Sequence, residues 1–253
     1  MTFLGTGTSH GVPMIGCECR TCRSEDPRDR RLRPSIFIRT DDAHLLVDAG
    51  PDLRAQALAH GLVRVDAIFF THGHADHILG LDDVRRFNSL MRRPMALYGD
   101  PQTLGEIRTM FQYAFSAETP KGGGLPQLAL FPVAGPFCVG RQEMVPVPVW
   151  HGRRLILGLR LGAFAYLTDC SAIPDSSWPL LDGVEVLVLD ALRERPHSTH
   201  FSLDEAVEAA RRIGARETYF THMCHDLAHA ETCARLPAGV TLAYDGLRLE
   251  LAG

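Results

Sequence analysis

Apolar residues in this chain gather in short runs bounded by Gly, Pro and Asp, and such runs predict buried strands rather than helices. They recur at Ser35 to Arg39, Leu45 to Asp48, Ala67 to Thr71, Met95 to Gly99, Leu128 to Pro132, Met144 to Trp150, Ile156 to Leu161, Phe164 to Thr168, Val184 to Asp190, Glu217 to Thr221 and Leu247 to Leu251. Thr2 to Leu4 is strand-like as well. Between these runs the period becomes helical. The clearest helix begins at Ser202, whose hydroxyl is placed to cap it while Glu205 completes a capping box. Leu203, Ala206, Val207, Ala210 and Ile213 then share one face and Gly214 ends the helix, so that stripe is core packing. Further helices are expected over Asp52 to His60, Leu81 to Leu90 and Pro101 to Phe115. Many strands with intervening amphipathic helices fit two packed sheets covered by helices on both outer faces. Pro120 to Pro126, rich in Gly, reads as an inert surface loop, with a lid as the alternative.

Composition narrows the class. The chain has 253 residues, 45% hydrophobic and 22% charged, which suits one globular domain spanning residues 1–253. No run reaches the length of a membrane span and no signal peptide is recognised, so a cytoplasmic location is expected, without membrane contact. A net charge of −4 argues against an extended nucleic-acid surface. One stretch runs against that balance: Arg20, Arg23, Arg28, Arg30, Arg31 and Arg33 are offset only in part by Asp26 and Asp29. A solvated charged loop is one reading; an Arg meeting an anionic substrate group is the other.

The strand predicted at Ala67 to Thr71 runs directly into Thr71, His72, Gly73, His74, Ala75, Asp76, His77. An HxHxDH spacing arises by chance on the order of 10⁻³ times in a chain of this composition. Imidazole and carboxylate suit Zn²⁺, Mn²⁺ or Fe²⁺, and four such groups on one loop are too many for one ion that keeps an open position. Two ions are the simpler reading. Three other strands end in candidate ligands, at His151, Asp169 and His222.

Seven cysteines, an odd number, do not suggest a disulfide framework. Cys17, Cys19 and Cys22 crowd beside Gly16, and with His225 they would close a Cys₃His zinc site; a redox or buried-thiol cluster is the alternative. Cys138, Cys170, Cys224 and Cys233 read as small buried hydrophobes.

Together these motifs resemble those of the metallo-β-lactamase-fold hydrolases, met in order from Leu45–Gly50 through the His-rich loop to His222. The resemblance implies an αββα sandwich in the α/β class. It also implies that His72, His74 and His151 bind one ion, that Asp76, His77 and His222 bind the other, and that Asp169 bridges them. Asp48 would orient ligand histidines, with a turn-capping carboxylate as the alternative.

Within the fold the chain is most similar to the phosphodiesterases of the phosphonate (carbon–phosphorus lyase) pathway. Gly5, Thr6, Gly7 with Gly11, Val12, Pro13, the cysteine cluster, the His200 loop, Thr221 to His225 and Tyr244, Asp245, Gly246 carry that likeness. Gly80 to Asn88 instead resembles a broader group of hydrolases.

The implied activity is hydrolysis of a small cyclic phosphodiester, 5-phosphoribosyl 1,2-cyclic phosphate to ribose 1,5-bisphosphate, with two active-site Mn or Zn ions and one structural Zn. A leaving alkoxide needs a proton, and His200, on a loop shared with His197, is assigned as the general acid beside the catalytic carboxylates Asp76 and Asp169. The alternatives are another phosphodiester (a cyclic nucleotide or RNA 3′ end) and an accessory role in pyrroloquinoline quinone synthesis, whose protein shares the cysteine segment without an intact HxHxDH. A flavodiiron oxidoreductase would carry Glu in place of His74. A noncatalytic binding domain gives no reason to keep both ligand sets and an acid. The expected partner is a small phosphorylated substrate, with a homodimer as the one assembly considered.

Overall fold

The computed structural model describes residues 1–120, 122 and 124–251. One sheet runs edge to edge as β1 (Thr2–Gly5), β2 (Ser35–Arg39), β3 (His44–Val47), β4 (Ala67–Phe69), β5 (Met95–Gly99) and β6 (Leu128–Pro132). The other is ordered β7 (Phe137–Val139), β8 (Gln142–His151), β9 (Arg154–Leu161), β10 (Phe164–Leu167), β11 (Val186–Asp190), β12 (Glu217–Thr221) and β13 (Val240–Leu242). Strands β3 to β6 are mutually parallel, as are β10 to β13. Parallel neighbours need crossovers, so their C-terminal ends share one edge. The helices are α1 (Leu53–His60), α2 (Ala75–Ile78), α3 (Val84–Met91), α4 (Pro101–Met110), α5 (Gln112–Phe115), α6 (Leu203–Ile213) and α7 (His229–Cys233).

Alternation along the strands builds the layers. Leu45, Val47, Ala67 and Phe69 meet Leu159, Phe164, Tyr166, Val186 and Val188 between the sheets. Leu46, Ile68 and Leu97 point the other way, onto Leu53 of α1, Val84 and Phe87 of α3, and Leu104 and Ile107 of α4. Leu187, Leu189 and Phe220 pack on Leu203, Ala206 and Ala210 of α6. The fold is the αββα sandwich of the metallo-β-lactamase fold. The capping box at Ser202 and Glu205 forms, and Gly214 closes α6 with φ of 74°.

Several expectations change. Leu247 to Leu251 is no strand: it meets β1 through a single bridge, Thr2 to Arg248, and flanking bonds such as Leu249 N to Met1 O. Leu81 to Leu90 splits into a 3₁₀ turn over Leu79–Asp83 and α3, and Pro101 to Phe115 breaks at Phe111. The short strands β7 and β13 were not anticipated. Cys138 is exposed rather than buried, because it faces outward on β7; Cys170 is buried, while Cys224 and Cys233 are half-buried. The suggested lid includes Lys121 and Gly123, which lie outside the described residues. Among the described residues no helix is long and apolar enough to cross a membrane.

Candidate metal centre

The shared strand edge collects the candidate ligands. His72 and His74 follow β4, Asp76 and His77 lie on α2, His151 closes β8, Asp169 follows β10 and His222 follows β12. They form two groups, His72, His74, His151 with Asp169, and Asp76, His77, His222 with Asp169. Asp169 serves both through different oxygens: Oδ2 stands 3.7 Å from His72 Nε2, while Oδ1 stands 3.2 Å from His77 Nε2 and 3.4 Å from His222 Nε2. Asp76 Oδ2 is 3.5 Å from each of those last two nitrogens. Ligand atoms bonded at about 2.0–2.2 Å around a tetrahedral ion stand roughly 3.3–3.6 Å apart, and the spacings here cluster around that range.

Two further observations fit divalent ions. The Nε2 atoms of His72, His77 and His222 are buried without a hydrogen-bond partner. Burying such atoms unpaired is costly unless something else occupies their lone pairs. Asp48, Asp76, Asp169 and Asp190 are also buried, and among the described residues no Lys or Arg pairs with any of them. Their counter-charges are histidines alone. Burial works against ionisation of Asp169, but His222, His77 and His72 hold its carboxyl well below the usual range. Burial likewise opposes protonation of His77, which Asp169, Asp48 and Asp76 raise well above the ordinary imidazole value. Desolvation dominates at His72 and lowers it well below that value.

The Nδ1 atoms of His77 and His151 are tethered, which aims their Nε2 into the site. His77 Nδ1 donates to Asp48 Oδ2 at 2.7 Å, and Asp48 also accepts from Thr71 N and Thr71 Oγ1, at 2.9 Å each. His151 Nδ1 faces the carbonyls of Asp169 and Thr199 at 3.0 and 2.8 Å. Asp48 thus sits behind His77.

His200 lies at the same centre, its Nε2 4.0 Å from Asp169 Oδ2 and its ring stacked on His222. Its Nδ1 donates to Asp190 Oδ2 at 3.0 Å. Burial lowers its pKa, but the Asp190 carboxylate more than reverses this and carries it to about 9. His197 is half-buried, accepts the Thr199 N–H at 3.3 Å and joins neither group of ligands. Asp190, which the sequence reading passed over, holds His200 and lies 3.6 Å from His222 Nδ1. Its signal was available: like the runs before Asp48 and Asp169, the run before it ends in a carboxylate.

Elsewhere, Cys17, Cys19 and Cys22 surround His225 Nδ1 at 3.1, 3.4 and 3.6 Å. Burial opposes ionisation of Cys19, yet the Cys22 N–H and the neighbouring thiols and imidazole bring it to about 7; Cys22 is pushed up to about 11 by burial and those same thiols. The nearby arginines are mostly engaged. Arg20, Arg23, Arg28, Arg31 and Arg33 each pair with a carboxylate. Arg31 is no solvated loop residue: it is buried and donates to the carbonyls of Cys224 and Leu227.

Comparison with known proteins gives the family. Residues 43–223 match the model of the beta-lactamase superfamily domain. A solved structure described as a new diphosphatase from the PhnP family is 47% identical, with a TM-score of 0.93, covering 99% of this chain and 97% of that one. The octanoyltransferase of Porphyromonas gingivalis is 38% identical over 248 residues, 97% of this chain but only 50% of that protein, so the chain spans about half the length of this curated relative. Zn²⁺-bound PqqB from Methylobacterium extorquens shares the fold at 20% identity and a TM-score of 0.78, covering 99% of both chains.

Proposed function

The chain belongs to the beta-lactamase superfamily, as a metal-dependent hydrolase, and from that premise we propose that it cleaves a small cyclic phosphodiester, first of all 5-phosphoribosyl 1,2-cyclic phosphate. The observation that carries the reading is Asp169, whose two oxygens face separate sets of imidazoles. His72, His74, His151 and Asp169 would hold one ion, and Asp76, His77, His222 and Asp169 the other, as Mn or Zn. When bound, such a pair lowers the pKa of water and stabilises both oxygens of an in-line displacement at phosphorus.

The residues of the chain supply the rest. Asp48 holds His77, and Asp190 holds His200 with Nε2 toward the reacting centre, where a proton is needed by a departing alkoxide. A second reading has specific support: the 47% identical relative is described as a diphosphatase. A diphosphate linkage releases a phosphate oxygen, which leaves without a proton from His200.

One experiment separates the two. The ribosyl cyclic phosphate, 2′,3′- and 3′,5′-cyclic nucleotides, a dinucleotide diphosphate and a thioester are compared under Mn²⁺ and Zn²⁺, with wild type and His200→Ala. The cyclic phosphate should be turned over fastest, and His200→Ala should lower its kcat by roughly 10²–10⁴ while metal content stays unchanged. An aryl diester should be partly spared. Preference for the diphosphate with little loss on His200→Ala would establish the second reading, and a dominant thioesterase activity would overturn both.

A further inference from the structure

The first ligand set draws on both sheets, since His72 and His74 follow β4 whereas His151 closes β8. The apolar layer between the sheets is held by a non-directional force, which fixes their separation better than their slide. Directional contacts must set the register of these ligands; one is a backbone bond from Leu157 N on β9 to Thr71 O, 3.1 Å, directly before His72.

An ion pair outside the ligand sets is placed to do so. Arg154, the first residue of β9, is the cross-strand partner of His151. Its guanidinium donates to both oxygens of Glu106 on α4, at 2.9 Å each, and to Thr103 Oγ1 at 3.2 Å. Gln102 Nε2 donates to Glu106 Oε1 at 3.1 Å. Thr103 Oγ1 donates in turn to Asp100, the N-cap of α4, whose carboxylate also accepts two backbone N–H groups. On its remaining side the Glu106 carboxylate lies against Gly73: a Cβ on that glycine would stand 1.9 Å from Oε2. The backbone between His72 and His74 therefore rests on Glu106, and Glu106 grips the hairpin that carries His151.

We propose that the Glu106–Arg154 pair is a positioning clamp that sets His151 against His72 and His74 and so tunes the metal affinity of the first pocket; this rests on reading those three histidines as ligands. A bidentate Arg–carboxylate pair fixes geometry as well as distance, which a single point charge does not. His74 is the exposed member of its set, so it depends most on how its backbone is held. The second pocket has separate supports in Asp48 and Asp190, and among the described residues Asp76, His77 and His222 make no hydrogen bond or ion pair to Glu106 or Arg154.

The test weakens one pocket at a time and follows the other by Co²⁺ titration of the full chain, reading absorption after mild chelation. In an Asp76→Asn background, which leaves the first pocket, Glu106→Gln and Arg154→Lys should each weaken Co²⁺ binding by about 10- to 100-fold, the scale of losing a partner behind a ligand. The double variant should be no worse than the weaker single one. Gly73→Ala, which drives a methyl group into Glu106 with both charges kept, should reproduce the loss. In a His74→Ala background, which leaves the second pocket, the same changes should leave affinity unaltered. Equal weakening in both backgrounds would make the pair merely structural, and undiminished affinity in the first would overturn the clamp. Failure of the Asp76→Asn protein to bind Co²⁺ with the clamp intact would instead overturn the ligand reading.

Discussion

Asp48, Asp169 and His222 have φ of 61°, 54° and 60°, the left-handed region that disfavours residues with a Cβ. Each such residue costs of order 1–3 kcal/mol. Asp48 and His222 directly follow the last residue of a strand and Asp169 stands one residue further on, and the left-handed step turns the side chain over the strand end, out of the alternation that would send it to one face. A glycine there would relieve the strain and lose the carboxylate or imidazole, so the site retains its function at a cost in local conformation. A different single-residue effect governs acid stability. His229 is buried, its Nδ1 has no partner, and burial with Arg28 and Arg31 nearby lowers its pKa to about 4. The folded state thus binds fewer protons at this ring than the unfolded chain, whose imidazole titrates near about 6.5. The stability this ring contributes is present above about 6.5 and is lost as pH falls toward 4. His229→Gln should flatten that part of the decline, seen as a smaller drop in the urea midpoint between pH 7 and pH 5; an unchanged slope would show that His229 does not titrate on unfolding.

At the scale of elements, the ligand loop is held from below by close backbone packing. Ala49 N donates to His77 O at 2.7 Å, Gly80 N donates to Ala49 O at 2.8 Å, and a Cβ on Gly50 would stand 2.1 Å from Asp76 O. Gly50→Ala must therefore displace α2. It should weaken Co²⁺ binding at the Asp76, His77, His222 pocket about 10- to 100-fold and lower stability by roughly 1–3 kcal/mol, read by titration and denaturant unfolding. Normal affinity would mean that α2 moves as a unit without disturbing its side chains. This dependence explains what the sequence made legible. Strands β4 and β10 are legible because their residues are apolar on both faces, and the ends of those runs locate His72 and Asp169, while the more mixed run of β12 locates His222. Asp190 ends a legible run as Asp48 and Asp169 do, but it escaped because its role depends on His200, which lies across a loop that no local period describes. Glu106 and Arg154 escaped for the same reason: their pairing joins α4 to β9, and neither segment alone suggests it. Leu247 to Leu251 misled because alternation matches a strand there, while β1 offers it only one bridge.

Across the whole molecule, the cysteine cluster joins distant parts of the chain to the reacting centre. Cys17 and His225 are separated by 208 residues, and His225 follows His222 by three positions. The same loop is tied to the N-terminal segment by Met223 N to Thr6 O at 2.9 Å and Thr8 N to Met223 O at 3.1 Å, and by buried Arg31 through Cys224 and Leu227. A zinc ion held by Cys17, Cys19, Cys22 and His225 would lock this junction, and holding ends so far apart in sequence restricts the unfolded chain strongly. Elemental analysis should find up to three ions per chain, one of them zinc that survives mild chelation. Cys19→Ser should lose that zinc and about 2–4 kcal/mol of stability, the scale of a cross-link closing a long loop. The two hydrolytic ions should remain, because no cysteine belongs to their ligand sets. If Cys19→Ser instead emptied both hydrolytic pockets and left the unfolding midpoint unchanged, the cluster would have to act on the reacting centre directly, and its structural role would be lost.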